Sequence, residues 1–124
     1  MWKVNPFKYS RRPASEVKVG TVKLGSDYPV RVQSMANTDT NDIENSVAQC
    51  IRIVEAGADI VRFTTQGIRE AESVKLIHNA IREKGYTTPL VADIHFNANA
   101  ADVAARNVEK VRINPGNYVG TVKI

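Results

Sequence analysis

The 124-residue chain is 43% hydrophobic and 24% charged, which is typical of a soluble globular domain and excludes a disordered segment. Its net charge of +4 comes without a run of five basic residues and with only 6% aromatic residues, so a nucleic-acid surface is not indicated. No apolar stretch approaches the ~20 residues that cross a bilayer, and the single cysteine, Cys50, predicts a reducing compartment, the cytoplasm.

The chain begins with an expected arm and a small hairpin, residues 1–28. Residues 16–20 and 21–25 alternate apolar and polar side chains and turn near Gly20. In a barrel, such a hairpin closes the bottom. Residues 29–124 are then predicted to form the first half of a substrate-binding barrel domain.

Helical periodicity recurs three times after the hairpin, over about 43–54, 68–84 and 97–106. Gly57 and Gly85 follow the first two helices, where a residue in the left-handed backbone conformation commonly ends a helix. Short apolar strands are predicted around them, at 30–33, 60–64, 90–93 and 110–114. Strand–helix alternation with short connections predicts parallel βαβ units.

The turn after the first strand distinguishes two parallel architectures. A doubly wound nucleotide-binding sheet would carry a glycine-rich phosphate turn there, whereas residues 34–38 contain no glycine. The predicted fold is therefore α/β, the N-terminal part of a (β/α)8 barrel with four parallel strands and three helices.

A repeated triplet carries the chemistry: Arg31, Arg62 and Arg112 each stand between two large apolar residues. Because alternate strand residues face opposite sides, apolar neighbours toward the helices would turn the arginines toward the barrel interior. The same register predicts further inward polar residues near the strand ends, where barrel active sites gather: Gln33, Thr64, Asp93, His95 and Asn114.

Inward arginines require negative charge, and two sources are open. A phosphate-type ligand would suit the planar guanidinium fork. Alternatively, Asp93 and other carboxylates neutralise the arginines in a buried network. One carboxylate cannot offset three guanidiniums, which favours the ligand.

Two short segments are candidates for ligand contact. Asp93 and His95 lie two residues apart and are either an acid–base pair or a hydrogen-bonded pair at a strand end. The segment from Asn114 to Asn117 is a turn signal whose position after Arg112 makes it a candidate ligand loop. Cys50 is predicted to pack in the core, and His78 is predicted to have no role.

With these residues in view, the chain resembles the 4-hydroxy-3-methylbut-2-en-1-yl diphosphate synthase family. The resemblance runs from about Arg11 to Gly120, and residues 62–72 look like the long form of that family. Its most specific blocks are Val32–Met35 with Asn37–Thr40, Ala56–Arg62, Leu90–Phe96 and Arg112–Asn117.

The resemblance implies a reductive ring opening of 2-C-methyl-D-erythritol 2,4-cyclodiphosphate in isoprenoid biosynthesis. It implies a [4Fe-4S] cluster held by cysteines outside these residues, with ferredoxin or flavodoxin as the electron donor. By resemblance, Arg62 and Arg112 would bind the diphosphate, and Arg31, Gln33, Asn37 and Asn117 are further substrate-binding candidates. Asp93, His95 and Asn114 would line the substrate cavity as the catalytic candidates, and no residue here is a metal ligand.

The sequence departs from the family at two places. Ala36 stands where the family often has threonine, and the 124 residues hold only four barrel strands and one cysteine. The chain is therefore expected to be a fragment that binds the diphosphate but is inactive alone and self-associates through its strand edges. Two alternatives remain: a pterin-binding barrel like dihydropteroate synthase, and a non-catalytic phosphate-binding half-barrel.

Overall fold

Strands and helices alternate along the chain, and the computed structural model describes residue 7, residues 13–95 and residues 97–113. Within these residues the elements are β1 (Val17–Val19), β2 (Val22–Leu24), β3 (Gln33–Met35), α1 (Ile43–Glu55), β4 (Ile60–Thr65), α2 (Ile68–Glu83), β5 (Leu90–Ile94), α3 (Ala98–Ala105) and β6 (Lys110–Ile113).

The four strands β3 to β6 form a parallel sheet in which spatial order follows chain order. A doubly wound sheet would reverse its strand order at a switch point. Here each strand instead lies beside the strand before it, with a helix as each connection. The predicted barrel-type arrangement is confirmed.

All three helices cover one face of this sheet. The register sets Val61 beside Leu90 and Phe63 beside Ala92, so these side chains share a face. Val61, Phe63 and Leu90 are fully buried against α1 and α2, whereas Ala92 packs with the alanines of α3. Successive side chains of a strand point to opposite faces of the sheet. Since these apolar side chains pack on the helices, the polar side chains between them face the side without helices.

The hairpin of β1 and β2 lies at the amino end of the sheet. Its turn residue Gly20 has a φ of 57°, and a Cβ added there would come within 3.0 Å of Glu109 Cγ and 3.2 Å of Pro89 Cγ. Pro89 and Glu109 directly precede β5 and β6. The turn of the hairpin therefore lies at the amino ends of β5 and β6, and closure of the barrel bottom by the hairpin stays a prediction.

The first sheet strand differs from the prediction, which set it at residues 30–33. It begins at Gln33 because β4, its only neighbour among the described residues, begins at Ile60, the partner of Gln33. Val30 and Val32 are 84% and 55% exposed, and the Val32 amide donates to Asp59 Oδ2 instead. Arg31 therefore precedes the strand, and its Nε donates to the Lys23 carbonyl oxygen in the hairpin, while its inward direction stays a prediction.

Some predictions lie outside the described residues or stay untested. Asn114 and Asn117 belong to the segment that the structure leaves undescribed, and the division of the chain after residue 28 stays a prediction. Among the described helices, none combines the length and apolar character needed to span a bilayer.

Candidate functional site

Polar side chains of three strands meet at the carboxyl end of the sheet, on the face without helices. In the register, Thr64 of β4 lies beside Asp93 of β5, and Asp93 lies beside Arg112 of β6. Arg62 precedes Thr64 by two residues and shares its face, and His95 follows β5 directly. The sequence prediction that Arg62, Asp93, His95 and Arg112 converge is confirmed.

Asp93 lies at the centre of this group, which we call the carboxyl-end cluster (Arg62, Asp93, His95 and Arg112). Its side chain is only 4% exposed, yet three cationic or ionisable groups surround it. Arg112 Nη1 donates to Asp93 Oδ1 at 3.0 Å. Arg62 Nε and His95 Nε2 lie 3.5 Å and 3.6 Å from Asp93 Oδ2.

The carboxyl-end cluster holds more positive than negative charge. Two guanidinium groups share one carboxylate, so one positive charge is left uncompensated within the cluster. Arg62 Nε is buried and has no hydrogen-bond partner among the described residues, and Arg62 Nη2 reaches only the weak acceptor Met35 Sδ at 3.3 Å. Asp93 therefore pairs with Arg62 and Arg112, as the network alternative predicted, but its single charge does not offset both guanidinium groups. The phosphate-type ligand stays a prediction.

A cavity of about 420 Å³ adjoins this cluster at the ends of β3 and β4. Its lining residues are Met35, Ala36, Asn37, Thr38, Asp39, Thr40, Thr64, Gln66 and Glu70, and the exposed wall is more apolar than polar. Asp39 and Glu70 are the carboxylates of this wall. Met35 belongs to the wall and also contacts Arg62, so the cavity and the cluster are neighbours.

The loop after β3 is held in place by a chain of hydrogen bonds. Thr40 Oγ1 donates to the Thr64 carbonyl oxygen at 2.7 Å, and Ser46 Oγ donates to the Asp39 carbonyl oxygen at 3.0 Å. Gln49 Oε1 accepts from the backbone amides of Asn37 and Thr38 at 2.9 Å and 3.2 Å. One helix, α1, therefore fixes the shape of the cavity wall.

The remaining site predictions fall in different places. Asn37 lines the cavity. Gln33 begins β3 rather than ending it and is exposed, because the strand starts later than predicted. Arg31 contacts the hairpin and lies away from the carboxyl ends of the strands. The reasoning from sequence missed Ser46 and Gln49 of α1, whose contacts with the loop depend on side-chain placement and leave no periodic signal.

A second ionic group, which we call the amino-end cluster (His78, Arg82 and Glu109), lies at the opposite end of the sheet. Glu109 Oε1 accepts from Arg82 Nη2 and lies 2.8 Å from His78 Nε2, and Glu109 Oε2 accepts from the Leu90 amide at 2.9 Å. Burial disfavours the charged form of Glu109, but the bonds from Leu90 and His78 prevail and lower its pKa. The prediction that His78 has no role was wrong.

The described residues do not fit an iron–sulfur cluster. Burial raises the pKa of the Cys50 thiol to about 11, although nearby Arg82 acts in the opposite direction. Cys50 is fully buried in the apolar core. Across residues 13–95 and 97–113, no three His, Cys, Asp or Glu side chains are grouped to hold a metal ion.

Comparison with known proteins gives one consistent result. The GcpE TIM-barrel domain matches residues 14–124. A Parabacteroides distasonis protein named 4-hydroxy-3-methylbut-2-en-1-yl diphosphate synthase (flavodoxin) is 59% identical over 117 residues, covering 94% of this chain and 19% of its own length. A protein of the same name from Leptospira interrogans is 46% identical over 118 residues, covering 95% and 18%. This chain spans about a fifth of the length of these relatives.

The comparison with solved structures concerns the fold alone. A dihydropteroate synthase from Xanthomonas albilineans superposes with a TM-score of 0.62 at 19% sequence identity, covering 84% of this chain and 44% of that one. The shared feature is the barrel-type order of strands and helices.

Proposed function

This chain belongs to the GcpE TIM-barrel domain family, and from that premise we propose that it supplies the diphosphate-binding part of a 4-hydroxy-3-methylbut-2-en-1-yl diphosphate synthase. The proposed whole enzyme is an oxidoreductase of isoprenoid biosynthesis that reductively opens 2-C-methyl-D-erythritol 2,4-cyclodiphosphate. The pterin-binding alternative is not favoured, because the likeness to dihydropteroate synthase extends to the fold only.

One observation carries the proposal: Arg62 and Arg112 share the single carboxylate of Asp93 at the carboxyl end of the sheet. Barrel enzymes place their substrates at this end of the strands. Two features call for an anionic oxygen: the uncompensated positive charge of the two guanidinium groups, and Arg62 Nη2, whose hydrogen-bond partner among the described residues is the weak acceptor Met35 Sδ. A diphosphate, with several charged oxygens, meets both requirements.

We assign distinct parts to the other residues of the carboxyl-end cluster. Asp93 orients the two guanidinium groups toward the ligand and keeps them apart. His95, at 3.6 Å from Asp93 Oδ2, is placed to bind a ligand oxygen or to move a proton at it. Asn37 is proposed to bind the substrate from the cavity wall. Asn114 and Asn117, which follow β6 in the sequence, are proposed to do so as well.

The proposed redox cofactor is a [4Fe-4S] cluster, which would supply the two electrons. Its ligands would come from residues outside these 124, because Cys50 is buried in the core and is the only cysteine. Flavodoxin is the proposed electron donor, as the relatives' names state for those proteins. We place the reaction in the cytoplasm.

Binding of inorganic pyrophosphate to the purified 124-residue chain tests the proposal. We expect Arg62→Leu and Arg112→Leu each to weaken binding by roughly tenfold or more in calorimetric titration, as for the loss of a charged hydrogen bond. Arg52→Leu is the matched control, because Arg52 is exposed in the last turn of α1. Equal binding by all three variants would contradict the proposal.

A non-catalytic phosphate-binding half-barrel is the second candidate, favoured by the same charge excess. It also predicts pyrophosphate binding, so the cyclic diphosphate separates the two. The synthase part should bind the cyclodiphosphate more tightly than inorganic pyrophosphate, whereas a general phosphate site should not.

We further propose that the 124-residue chain self-associates. β3 and β6 each have one neighbouring strand among the described residues, and Met35 and Ile113 on these strands are 41% and 42% exposed. Exposed strand edges pair readily with other chains. Size-exclusion chromatography should give an apparent mass above that of the monomer, and a monomer at all concentrations would contradict this.

A further inference from the structure

The orientation of the Gln49 side-chain amide is determined by two backbone groups. The amides of Asn37 and Thr38 can only donate, and both point at one atom of Gln49, at 2.9 Å and 3.2 Å. That atom must be the carbonyl oxygen, Oε1. The Nε2 amino group of Gln49 therefore lies on the other side and needs an acceptor.

Asn37 supplies this acceptor, and its own amide is thereby oriented. Gln49 Nε2 donates to Asn37 Oδ1. The reverse orientation of Asn37 would place two amino groups against each other, with no acceptor between them. The Asn37 carbonyl oxygen is therefore occupied by α1, and its Nδ2 amino group has no partner in the part of the chain that the structure describes.

Asn37 lines the cavity whose wall residue Met35 contacts Arg62, so we expect this amino group to meet a ligand there. An unconstrained asparagine can offer either its oxygen or its nitrogen to a ligand, and the oxygen would repel an anion. The geometry points to Gln49 as a positioning residue that turns Asn37 into a fixed hydrogen-bond donor for the anionic substrate. This inference rests on the proposed diphosphate-binding function and adds a residue to it.

Gln49→Glu is the decisive variant. A glutamate can still accept from the two backbone amides, so the loop stays anchored, but it cannot donate to Asn37 Oδ1. Asn37 should then turn its amino group toward residue 49 and its oxygen toward the cavity. We expect pyrophosphate binding to weaken roughly tenfold, as for one lost hydrogen bond to a charged group.

A double-variant cycle separates positioning from a general effect of the added charge. Asn37→Ala removes the donor and should weaken binding by a similar factor. If Gln49 acts through Asn37, Gln49→Glu in the Asn37→Ala background should cause little further loss. Additive losses, or full binding by Gln49→Glu alone, would overturn the inference. The control is Glu72→Gln on the exposed face of α2.

The outcomes distinguish this inference from the proposed function. If Arg62→Leu weakens binding and Gln49→Glu does not, only the positioning role fails. If the unaltered chain does not bind pyrophosphate, both fail.

A second measurement covers the case in which Gln49→Glu does not fold. In the unaltered chain, pyrophosphate should shift the NMR signals of the Asn37 side-chain NH₂ group. An unshifted Asn37 NH₂ signal during saturating binding would overturn the inference.

Discussion

The two ends of the sheet each hold a carboxylate, a histidine and at least one arginine, but they use their hydrogen bonds differently. At the amino end, Glu109 engages Arg82, His78 and the Leu90 amide, and Arg82 Nη1 also donates to the carbonyl oxygens of Tyr86 and Thr88. At the carboxyl end, Asp93 serves two arginines, and Arg62 Nε has no hydrogen-bond partner among the described residues.

The comparison shows that the presence of an ion pair does not by itself distinguish a cluster that stabilises the fold from one that could bind a ligand. The amino-end cluster has its strong donors occupied and is covered by the Gly20 turn, so it stabilises the fold. The carboxyl-end cluster keeps excess positive charge beside a cavity. This excess supports the proposal that the carboxyl end binds the anionic ligand. Four substitutions or conditions test this distinction.

The largest expected effect is on stability at the amino end. Glu109→Ala leaves Arg82, His78 and the Leu90 amide without their acceptor, and we expect the free energy of unfolding to fall by roughly 2–3 kcal/mol. Urea denaturation followed by circular dichroism measures it. Glu72→Ala, at an exposed position of α2, is the control. A loss of stability equal to that of the control would contradict the stabilising role of this cluster.

At the carboxyl end, the expected effect of Asp93→Asn is on ligand affinity. Removing the negative charge beside Arg62 and Arg112 should strengthen pyrophosphate binding by about tenfold, or ~1.4 kcal/mol. Calorimetric titration measures this affinity. Glu109→Gln is the matched change at the amino end and should leave pyrophosphate affinity unchanged. An equal gain in affinity in both variants would contradict the distinction between the two clusters.

Gly20→Ala tests the contact between the hairpin and the amino-end cluster. Its Cβ would approach Glu109 Cγ and Pro89 Cγ, and we expect a loss of about 1 kcal/mol or more in the free energy of unfolding. The control is Gly20→Ala in the Glu109→Ala background, where the Cγ that crowds the added Cβ is absent. In thermal denaturation Gly20→Ala should cost less stability there than in the unaltered chain, and an equal cost would mean that the hairpin does not pack tightly on Glu109.

The smallest effect is the pH dependence of the Glu109 contribution. Because the folded-state pKa of Glu109 is lowered from its ordinary value of 4.5, its ionised form stabilises the fold above that pH. This stabilisation is lost as the pH falls through the folded-state pKa. The stability difference between the unaltered chain and Glu109→Gln should therefore shrink below pH 4.5. A difference that grows on acidification would contradict the sign.

Much of the fold could be predicted from periodicity. Strand–helix alternation and the glycine-free turn at residues 34–38 indicated a barrel, and the alternation around Arg62 and Arg112 indicated the correct inward face. The same reasoning began the first strand too early, before Arg31. Its apolar neighbours satisfy the pattern, but a strand extends only as far as its neighbour pairs with it, and β4 begins at Ile60.

The candidate site was predictable where it depended on strand register and not where it depended on side-chain rotamers. Register alone places Asp93 beside Arg112. The contacts of Gln49 with the loop after β3, and of Glu109 with His78, join residues 12 and 31 positions apart through side chains. No periodic pattern encodes such contacts, so Gln49 and Glu109 had no signal in the sequence strong enough to single them out.

The chain-order arrangement of the sheet has a consequence for how this domain acquires its structure. Paired strand residues in β3 to β6 are only 19 to 29 positions apart in the chain. Short sequence separations lower the entropic cost of loop closure and favour rapid folding. Each βα unit can therefore dock onto the preceding one as it leaves the ribosome, and the proposed anion site is completed only when β6, with Arg112, is added to the growing sheet.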